Sequence, residues 1–210
     1  MTDLTTAFGN PLSLLVLLPI VVGAALMLVA WAAPPSQRKD LARNVRLLSF
    51  VVAVLLFVLA TLMFLESYSG IEWFSLNLNE YAYENCTFGE IEVGACSLIS
   101  GIGVSWHVGV DGLSLPMVWL TTLLIPVSML VEWNAKKGAY FHTLLLMMGG
   151  ALIGVFVSLD LFVFYIFWEL TLIPMFFLIL LWGGEDRRYA AQKFFIYTFT
   201  ASVFMLIGIL

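Results

Sequence analysis

The sequence predicts an all-α protein, built as a polytopic membrane helix bundle of about six transmembrane helices. Its 210 residues are 62% hydrophobic and only 11% charged, whereas soluble domains carry roughly 25% charged residues. Long apolar runs recur along the chain, and each has the ~20 residues that a helix needs to cross ~30 Å of hydrocarbon. The spans of a β-barrel would instead alternate apolar and polar residues over about ten positions.

The first 66 residues contain two of these runs, at about 12–33 and 45–65. The first run opens after Asn10 and Pro11, and the polar stretch PPSQRKD separates it from the second. Because each run is long enough to span the hydrocarbon core, residues 1–66 are predicted to form two leading transmembrane helices.

Residues 67–112 form the one large segment that is predicted to lie outside the membrane. This segment carries Glu72, Glu80, Glu84, Glu90, Glu92 and Asp111 without any Lys or Arg. An acidic extracytoplasmic loop is therefore predicted. A solvated surface is favoured over a cation-binding site. Cys86 and Cys96 also lie in this loop. An oxidising compartment would permit a disulfide between them, although two free thiols remain the alternative.

Residues 113–210 hold four further runs, at about 113–131, 139–158, 160–182 and 190–210. The first of these follows GVDG, in which Asp111 can cap the helix. The second contains Gly150 and Gly154, whose spacing is typical of helices that approach each other closely. The four runs are predicted to be transmembrane helices three to six.

Basic residues are confined to alternate connections between the predicted spans. The first, third and fifth connections and their flanks hold all nine Lys and Arg residues, which are Arg38, Lys39, Arg43, Arg46, Lys136, Lys137, Arg187, Arg188 and Lys193. The amino terminus, the second connection and the SLD turn hold none. Because basic segments stay on the cytoplasmic side of a membrane, the amino terminus is predicted to be extracytoplasmic.

The fifth span, FVFYIFWELTLIPMFFLILLW at 162–182, contains a single acidic side chain, Glu169. A charge near the centre of a bilayer costs roughly 3 kcal/mol and usually serves a function. At 1.5 Å per residue, Glu169 lies about 13 Å from Asp160 and about 20 Å from Trp182, so its carboxylate cannot reach either membrane surface.

The residue Pro174, five positions after Glu169, favours a hydrated site beside the acid. Proline lacks the N–H that would bond to the carbonyl of Leu170, so that carbonyl is free to bind water or a donor. A protonated structural Glu between helices is the alternative. A proton or cation site is the interpretation that the cost of burial favours.

Other motifs for chemistry are sparse. His142 opens the fourth span near the cytoplasmic side and is a candidate proton relay, since imidazole titrates near neutral pH. The chain has no zinc-ligand spacing, phosphate-binding glycine loop or cysteine cluster for iron and sulfur. No metal and no bound cofactor are therefore expected in this chain, and no nucleic acid is expected among its partners.

Three motifs closely resemble the antiporter-like membrane subunit M (chain 4) of respiratory complex I, the proton-pumping NADH:quinone oxidoreductase. They are GVDGLSLP at 109–116, GVFVSLDLFVFYIFWELTLIPMFFLILLWG at 154–183 and AAQKFFIYT at 190–198. The resemblance runs from about residue 100 to residue 210, with the motifs in family order. The first hundred residues match the family only in hydropathy.

The resemblance implies roles for two residues. The acid of the FWE motif is a key proton-channel residue in the family, and that position is Glu169 here. The lysine of the KFF motif is Lys193, which is either part of a proton path or a snorkelling structural lysine. Taken from residue 190, the predicted start of the sixth span, Lys193 should lie only about 5 Å inside that span.

The resemblance also implies an architecture. Family members have about fourteen helices around two inverted repeats, a known transporter device. The 210 residues therefore correspond to the three leading helices and the start of the first repeat of an antiporter-like fold. The lysine on the seventh helix that partners the acid in the family lies beyond this stretch, and the apolar ending MLIGIL is expected to belong to a longer or split subunit.

The implied function is proton translocation by a membrane-arm subunit that couples quinone reduction to pumping. The parent complex would use NADH, FMN, iron–sulfur clusters and quinone, and the partners of this chain would be other membrane-arm subunits, the lipid bilayer and protons. The location would be the bacterial inner membrane or another energy-transducing membrane. The large subunit of a multisubunit cation/proton antiporter is the alternative, since it shares part of the motifs, and a structural membrane anchor is a third interpretation.

A topology prediction follows from the distribution of basic residues. A reporter fused after Lys137 should read cytoplasmic, and a reporter inserted near Glu90 should read external. Protease protection in vesicles of both orientations measures the same property. Cleavage of the 80–95 region by protease added at the cytoplasmic face alone would contradict the predicted orientation.

Overall fold

The computed structural model describes residues 11–34, 38–69, 97–99, 104–106, 108–133 and 138–209. Within these ranges, six helices are long and apolar enough to cross a membrane. They are α1 (Pro11–Ala32), α2 (Arg38–Ser69), α3 (Ser114–Val131), α4 (Gly138–Val157), α5 (Leu161–Trp182) and α6 (Arg187–Ile209). The predicted all-α membrane helix bundle is confirmed.

Two helices extend beyond the predicted spans. Helix α2 begins at Arg38 and continues to Ser69, and α6 begins at Arg187. The additional turns contain charged and polar residues, because a helix can continue past the hydrocarbon where its side chains meet water. Hydropathy detects only the apolar part of such a helix. Cys86, Cys96 and the acidic residues from Glu72 to Glu92 lie outside the described residues, so the disulfide remains a prediction.

Helix α4 is the centre of the bundle and packs against α1, α2, α3 and α5. Its buried residues lie on all sides of the helix, whereas those of its neighbours form narrower stripes. Three glycines permit this arrangement. Gly149 faces Ile125 of α3, Gly150 faces Val16 and Pro19 of α1, and Gly154 faces the Phe167 ring of α5. The packing role predicted for Gly150 and Gly154 is confirmed, and each of the three glycines contacts a different helix.

The end of the connection between α2 and α3 folds back onto the bundle. Strands β1 (Ser97–Ile99) and β2 (Val104–Ser105) form a short antiparallel pair. After β2, the Trp106 indole N–H donates to the Ser13 hydroxyl at 3.0 Å, and its ring lies edge-on to Phe167 at 5.9 Å. The Gly109 amide donates to the Val157 carbonyl at 2.8 Å. These contacts join α1, α4 and α5 at one end.

Asp111 caps α3, as the sequence predicts. Its carboxylate accepts hydrogen bonds from the amides of Ser114 and Leu113, at 2.6 and 3.0 Å, while its own amide donates to the Ser114 hydroxyl at 2.8 Å. The hydrogen bonds from Ser114, followed by the one from Leu113, lower the pKa of the Asp111 carboxyl group. The charged cap therefore persists to moderately acidic pH.

The glycine contacts of α4 generate a stability prediction. A Cβ atom at Gly150 would lie 2.7 Å from Pro19 Cγ and 3.0 Å from the Val16 carbonyl oxygen. Because backbone cannot move aside as a flexible side chain can, Gly150→Leu should destabilise the bundle by about 1–3 kcal/mol or more. Thermal unfolding of the detergent-solubilised protein measures the loss.

The matched control is Gly208→Leu, since a Cβ atom at Gly208 meets none of the described atoms within 4 Å. Equal melting temperatures for the two variants would contradict the close approach of α1 and α4.

Candidate functional site

Glu169 lies near the middle of α5, and hydrogen bonds anchor the amino-terminal end of that helix. Asp160 is the N-cap residue of α5, and its carboxylate accepts from the amides of Phe162 and Val163 at 2.7 and 3.2 Å. The cap and the contact between Gly154 and Phe167 hold the start of α5 against α4. The depth of Glu169 in the bundle is therefore set by local hydrogen bonds and packing.

The Glu169 carboxyl group is only partly satisfied. Its Oε1 atom is buried and has no hydrogen-bond partner among the described residues. A buried carboxyl oxygen without a partner costs free energy, unless it gains a donor or a proton. The Oε1 atom of Glu169 is therefore left to bind a donor that none of the described residues supplies.

The polar side chains close to Glu169 carry hydroxyl groups. Tyr165 lies one turn before Glu169 on the same face of α5, with its hydroxyl near the Glu169 carboxyl group and Ser202 of α6. Ser202 is only 3% exposed. The sequence analysis did not identify either residue, although the spacing of four between Tyr165 and Glu169 already places them together on a helix.

An aromatic contact supports the position of Ser202 independently. The rings of Phe176 and Phe195 meet at 5.6 Å between centroids, which sets the register of the antiparallel helices α5 and α6. Glu169 lies seven residues before Phe176, and Ser202 lies seven residues after Phe195. Because seven residues are two helical turns, Glu169 and Ser202 lie at the same depth.

Pro174 follows the acid within the same helix. It is buried, and α5 continues through it without interruption. Proline has no N–H to donate to the carbonyl of Leu170, which is the residue after Glu169. The arrangement therefore provides a main-chain acceptor one residue away from the carboxyl group.

His142 occupies a separate polar cluster in α4. It is 1% exposed, and neither ring nitrogen has a hydrogen-bond partner among the described residues. The ring lies near Arg46 of α2, whose guanidinium donates to the Trp133 carbonyl at 2.8 Å and covers the Trp133 ring at 4.8 Å. Ser49, one turn from Arg46, is fully buried, and its hydroxyl makes no hydrogen bond to a described residue.

The His142 cluster and Glu169 are far apart along the membrane normal. Phe141, next to His142, contacts the ring of Trp182 at 5.2 Å, so His142 lies at the Trp182 end of α5. Glu169 lies thirteen residues earlier in that helix, which is about 20 Å away by helix rise. The structure does not bring these two predicted residues together.

Lys193 is also distant from Glu169. Lys193 lies about 9 Å along α6 from Arg187, its first residue, and because the added first turn precedes the predicted span, the depth of about 5 Å inside the span stays a prediction. It is exposed, its Nζ atom donates to the Tyr189 hydroxyl at 3.2 Å, and it lies 5.3 and 5.8 Å from the rings of Tyr189 and Tyr197. Its contacts are those of a lysine held by aromatic rings.

The described residues contain no group of three His, Cys, Asp or Glu side chains that could hold a metal ion. The site around Glu169 consists of one carboxyl group, two hydroxyl groups and an apolar surround. Such a set can accept, hold and pass on a proton.

Comparison with known proteins identifies relatives of this chain. Residues 158–210 match the family described as "NADH:quinone oxidoreductase/Mrp antiporter, TM". F(420)H(2) dehydrogenase subunit M of Methanosarcina mazei is 46% identical over 140 residues, or 64% of the chain. NAD(P)H-quinone oxidoreductase chain 4 1 of a Synechococcus species is 38% identical over 199 residues, or 94% of the chain. Chain 4-3 of the same type of enzyme from a Nostoc species is 49% identical over 108 residues, or 51% of the chain.

The chain spans only part of each relative. It covers 28% of the Methanosarcina protein, 33% of the Synechococcus protein and 19% of the Nostoc protein. The matches confirm the predicted resemblance to the antiporter-like membrane subunits of quinone oxidoreductases.

The cap of α5 generates a prediction about the support of the site. Asp160→Ala should destabilise the protein by about 1 kcal/mol, because the amides of Phe162 and Val163 lose their acceptor. Asp160→Asn retains an acceptor oxygen and should remain close to the wild type. Thermal unfolding in detergent compares the two variants, and equal losses would show that the carboxylate does not act as a cap.

Proposed function

We propose that this chain, a relative of the chain 4 subunits, contributes the amino-terminal part of a proton-translocating membrane-arm subunit of an NADH:quinone oxidoreductase. The subunit would couple quinone reduction to proton pumping. The observation that carries the proposal is Glu169, a carboxyl group in the middle of an apolar helix, with one buried oxygen that lacks a partner. The relatives named above are subunits of an F(420)H(2) dehydrogenase and of NAD(P)H-quinone oxidoreductases.

Glu169 would act as the proton-channel residue. An apolar environment favours the neutral acid, whereas a nearby positive charge favours the carboxylate. A carboxyl group held between these two influences changes its protonation when the positive charge moves. This change provides one step of proton transfer across the membrane.

Lys193 and His142 remain candidates for other parts of the path. Lys193 would exchange protons near the basic end of the bundle, about 13 Å from the depth of Glu169 by helix rise. His142 would act as a relay in its cluster with Arg46. Proton transfer from either residue to Glu169 would need bridging water, because neither side chain is long enough to cover the distance along the membrane normal.

Redox chemistry would take place elsewhere in the complex. NADH, FMN, iron–sulfur clusters and quinone would be bound by other subunits of the complex. Other membrane-arm subunits, the lipid bilayer and protons would be the partners of this chain. The confinement of basic residues to alternate connections supports an extracytoplasmic amino terminus in an energy-transducing membrane, such as the bacterial inner membrane.

The alternative function is that of the large subunit of a multisubunit cation/proton antiporter. The matching family description names both classes of protein. Such an antiporter would use Glu169 in the same way but would have no redox partner. Neighbouring genes for flavin and iron–sulfur subunits favour the oxidoreductase, whereas genes for small antiporter subunits favour the antiporter.

Substitution of the acid tests the proposal. In the intact parent complex, Glu169→Gln should reduce proton pumping and the coupled quinone reductase activity at least tenfold, because an amide does not exchange a proton as a carboxyl group does. Glu169→Asp should retain part of the activity. Proton uptake into inverted vesicles, recorded together with NADH oxidation, measures the effect.

The matched control is Glu185→Gln, which alters an exposed acid in the connection between α5 and α6. Immunoblots of the membranes report whether the complex has assembled. Full pumping by a correctly assembled Glu169→Gln complex would remove Glu169 from the mechanism.

A further inference from the structure

Buried polar atoms without a hydrogen-bond partner are concentrated at one place in the bundle. Among the described residues, Arg46 Nε, Ser49 Oγ and both ring nitrogens of His142 are such atoms, and the remaining one is Glu169 Oε1. Ser49 is 0% exposed and His142 is 1% exposed. Because an unpartnered buried polar atom costs free energy, this concentration requires an explanation.

The packing of α2 against α4 brings Ser49 and His142 to the same depth. Val45 of α2 and Ala139 of α4 belong to one buried apolar cluster. Since consecutive membrane spans alternate in direction, α2 and α4 run parallel. Ser49 follows Val45 by four residues and His142 follows Ala139 by three, which is about one helical turn in each case. Each polar residue therefore lies one turn above the same apolar contact.

Helix α3 brings Arg46 to this depth by a second route. Gly149 of α4 faces Ile125 of α3. Two helical turns, or seven residues, from this contact lie His142 on α4 and the residue before Trp133 at the end of α3. Arg46 Nη1 donates to the Trp133 carbonyl at 2.8 Å, and its guanidinium carbon lies 4.8 Å from the centre of the Trp133 ring. These two contacts hold Arg46 at the depth of His142.

The groups that border the site do not satisfy the four atoms. The carbonyls of Gly138 and Met129 lie near the His142 ring, but neither is in hydrogen-bond geometry with a ring nitrogen. The Phe50 ring lies edge-on to Trp133 at 5.4 Å between centroids. Aromatic rings of this kind exclude bulk solvent without supplying the missing hydrogen bonds.

The four atoms suit a neutral ligand that both donates and accepts hydrogen bonds. Arg46 Nε can only donate, whereas the Ser49 hydroxyl and a neutral His142 ring each donate and accept. An anion would offer acceptors alone, and Glu132, the residue before Trp133, already brings a carboxylate to this depth. A buried water molecule makes roughly three hydrogen bonds and can use both kinds of partner.

We propose that Arg46, Ser49 and His142 form a binding site for water between the basic ends of α2, α3 and α4. The water accepts from Arg46 Nε and exchanges hydrogen bonds with the Ser49 hydroxyl and a His142 ring nitrogen. The role of this water rests on the proposed function, since it is the molecule with which His142 would exchange a proton as a relay. The binding of the water does not depend on that function.

The melting temperature of Ser49→Ala separates a hydrated site from a dry one. In a dry site the Ser49 hydroxyl has no partner, so its removal raises the melting temperature of the full chain in detergent. In a hydrated site the water loses one of its partners, so the melting temperature should fall by about 2–4 °C, as for one lost hydrogen bond in a chain of this size. A rise would overturn the proposal.

Thr122→Val serves as the control for the loss of a buried hydroxyl group. Thr122 is 0% exposed, and its hydroxyl already donates to the Trp119 carbonyl of its own helix at 2.8 Å. This variant should melt close to the wild type. An equal fall in Thr122→Val and Ser49→Ala would show that the loss at Ser49 is not specific to the site.

Replacement of chloride by gluconate in the buffer distinguishes water from a small anion. A ligand that binds only the folded protein stabilises it by mass action. Bound chloride would therefore make the difference in melting temperature between the wild type and Ser49→Ala shrink in gluconate. Bound water predicts the same difference in both buffers.

A cryo-electron microscopy map of the intact parent complex, at a resolution that shows ordered water, tests the site directly. Density for water is expected within about 2.7–3.2 Å of at least two of the three side chains. A protein side chain or the absence of density at this position would overturn the water site and leave the role of Glu169 unaffected. Conversely, full pumping by Glu169→Gln would overturn the proposed function and leave the water density in place.

Discussion

The close approach of four helices to α4 is the constraint on which the rest of the bundle depends. Lipid tails are as apolar as leucine, so helices in a membrane gain little from the hydrophobic effect and associate through close packing instead. Gly149, Gly150 and Gly154 lie against α3, α1 and α5, respectively. A larger side chain at Gly154 would displace Phe167, and with it the start of the helix that carries Glu169. The depth of the acid thus depends on residues that perform no chemistry.

The acid itself shows how a membrane protein accommodates a polar group in an apolar helix. Glu169 is too deep to reach water at either end of α5. Tyr165 of the same helix lies near it, and Pro174 leaves the carbonyl of Leu170, the next residue, as a main-chain acceptor. These groups place donors and acceptors beside the carboxyl group without adding a permanent charge.

The bundle contains two polar regions at different depths. The His142 and Arg46 cluster lies at the end of the bundle where the basic residues are found, and Glu169 with Tyr165 and Ser202 lies near the middle. The intervening part of α4 is lined by glycine and aliphatic residues. Any proton that passes between the two regions therefore has to travel through water or through groups of helices beyond those described.

The sequence by itself determined the all-α membrane fold, the six spans, the position of Glu169 along α5 and the relationship to antiporter-like subunits. The length of an apolar run and the match to a motif are read from the linear chain. Neither depends on which face of a helix packs against its neighbours. Only the tertiary structure decided that Ser202 is buried at the depth of Glu169, that His142 lies in a separate cluster, and that three glycines of α4 pack against different helices. The physical reason is that these helices are apolar on every side, because lipid and protein both favour apolar surfaces. Their hydrophobic pattern therefore carries almost no information about which face meets another helix, and that choice is made by packing.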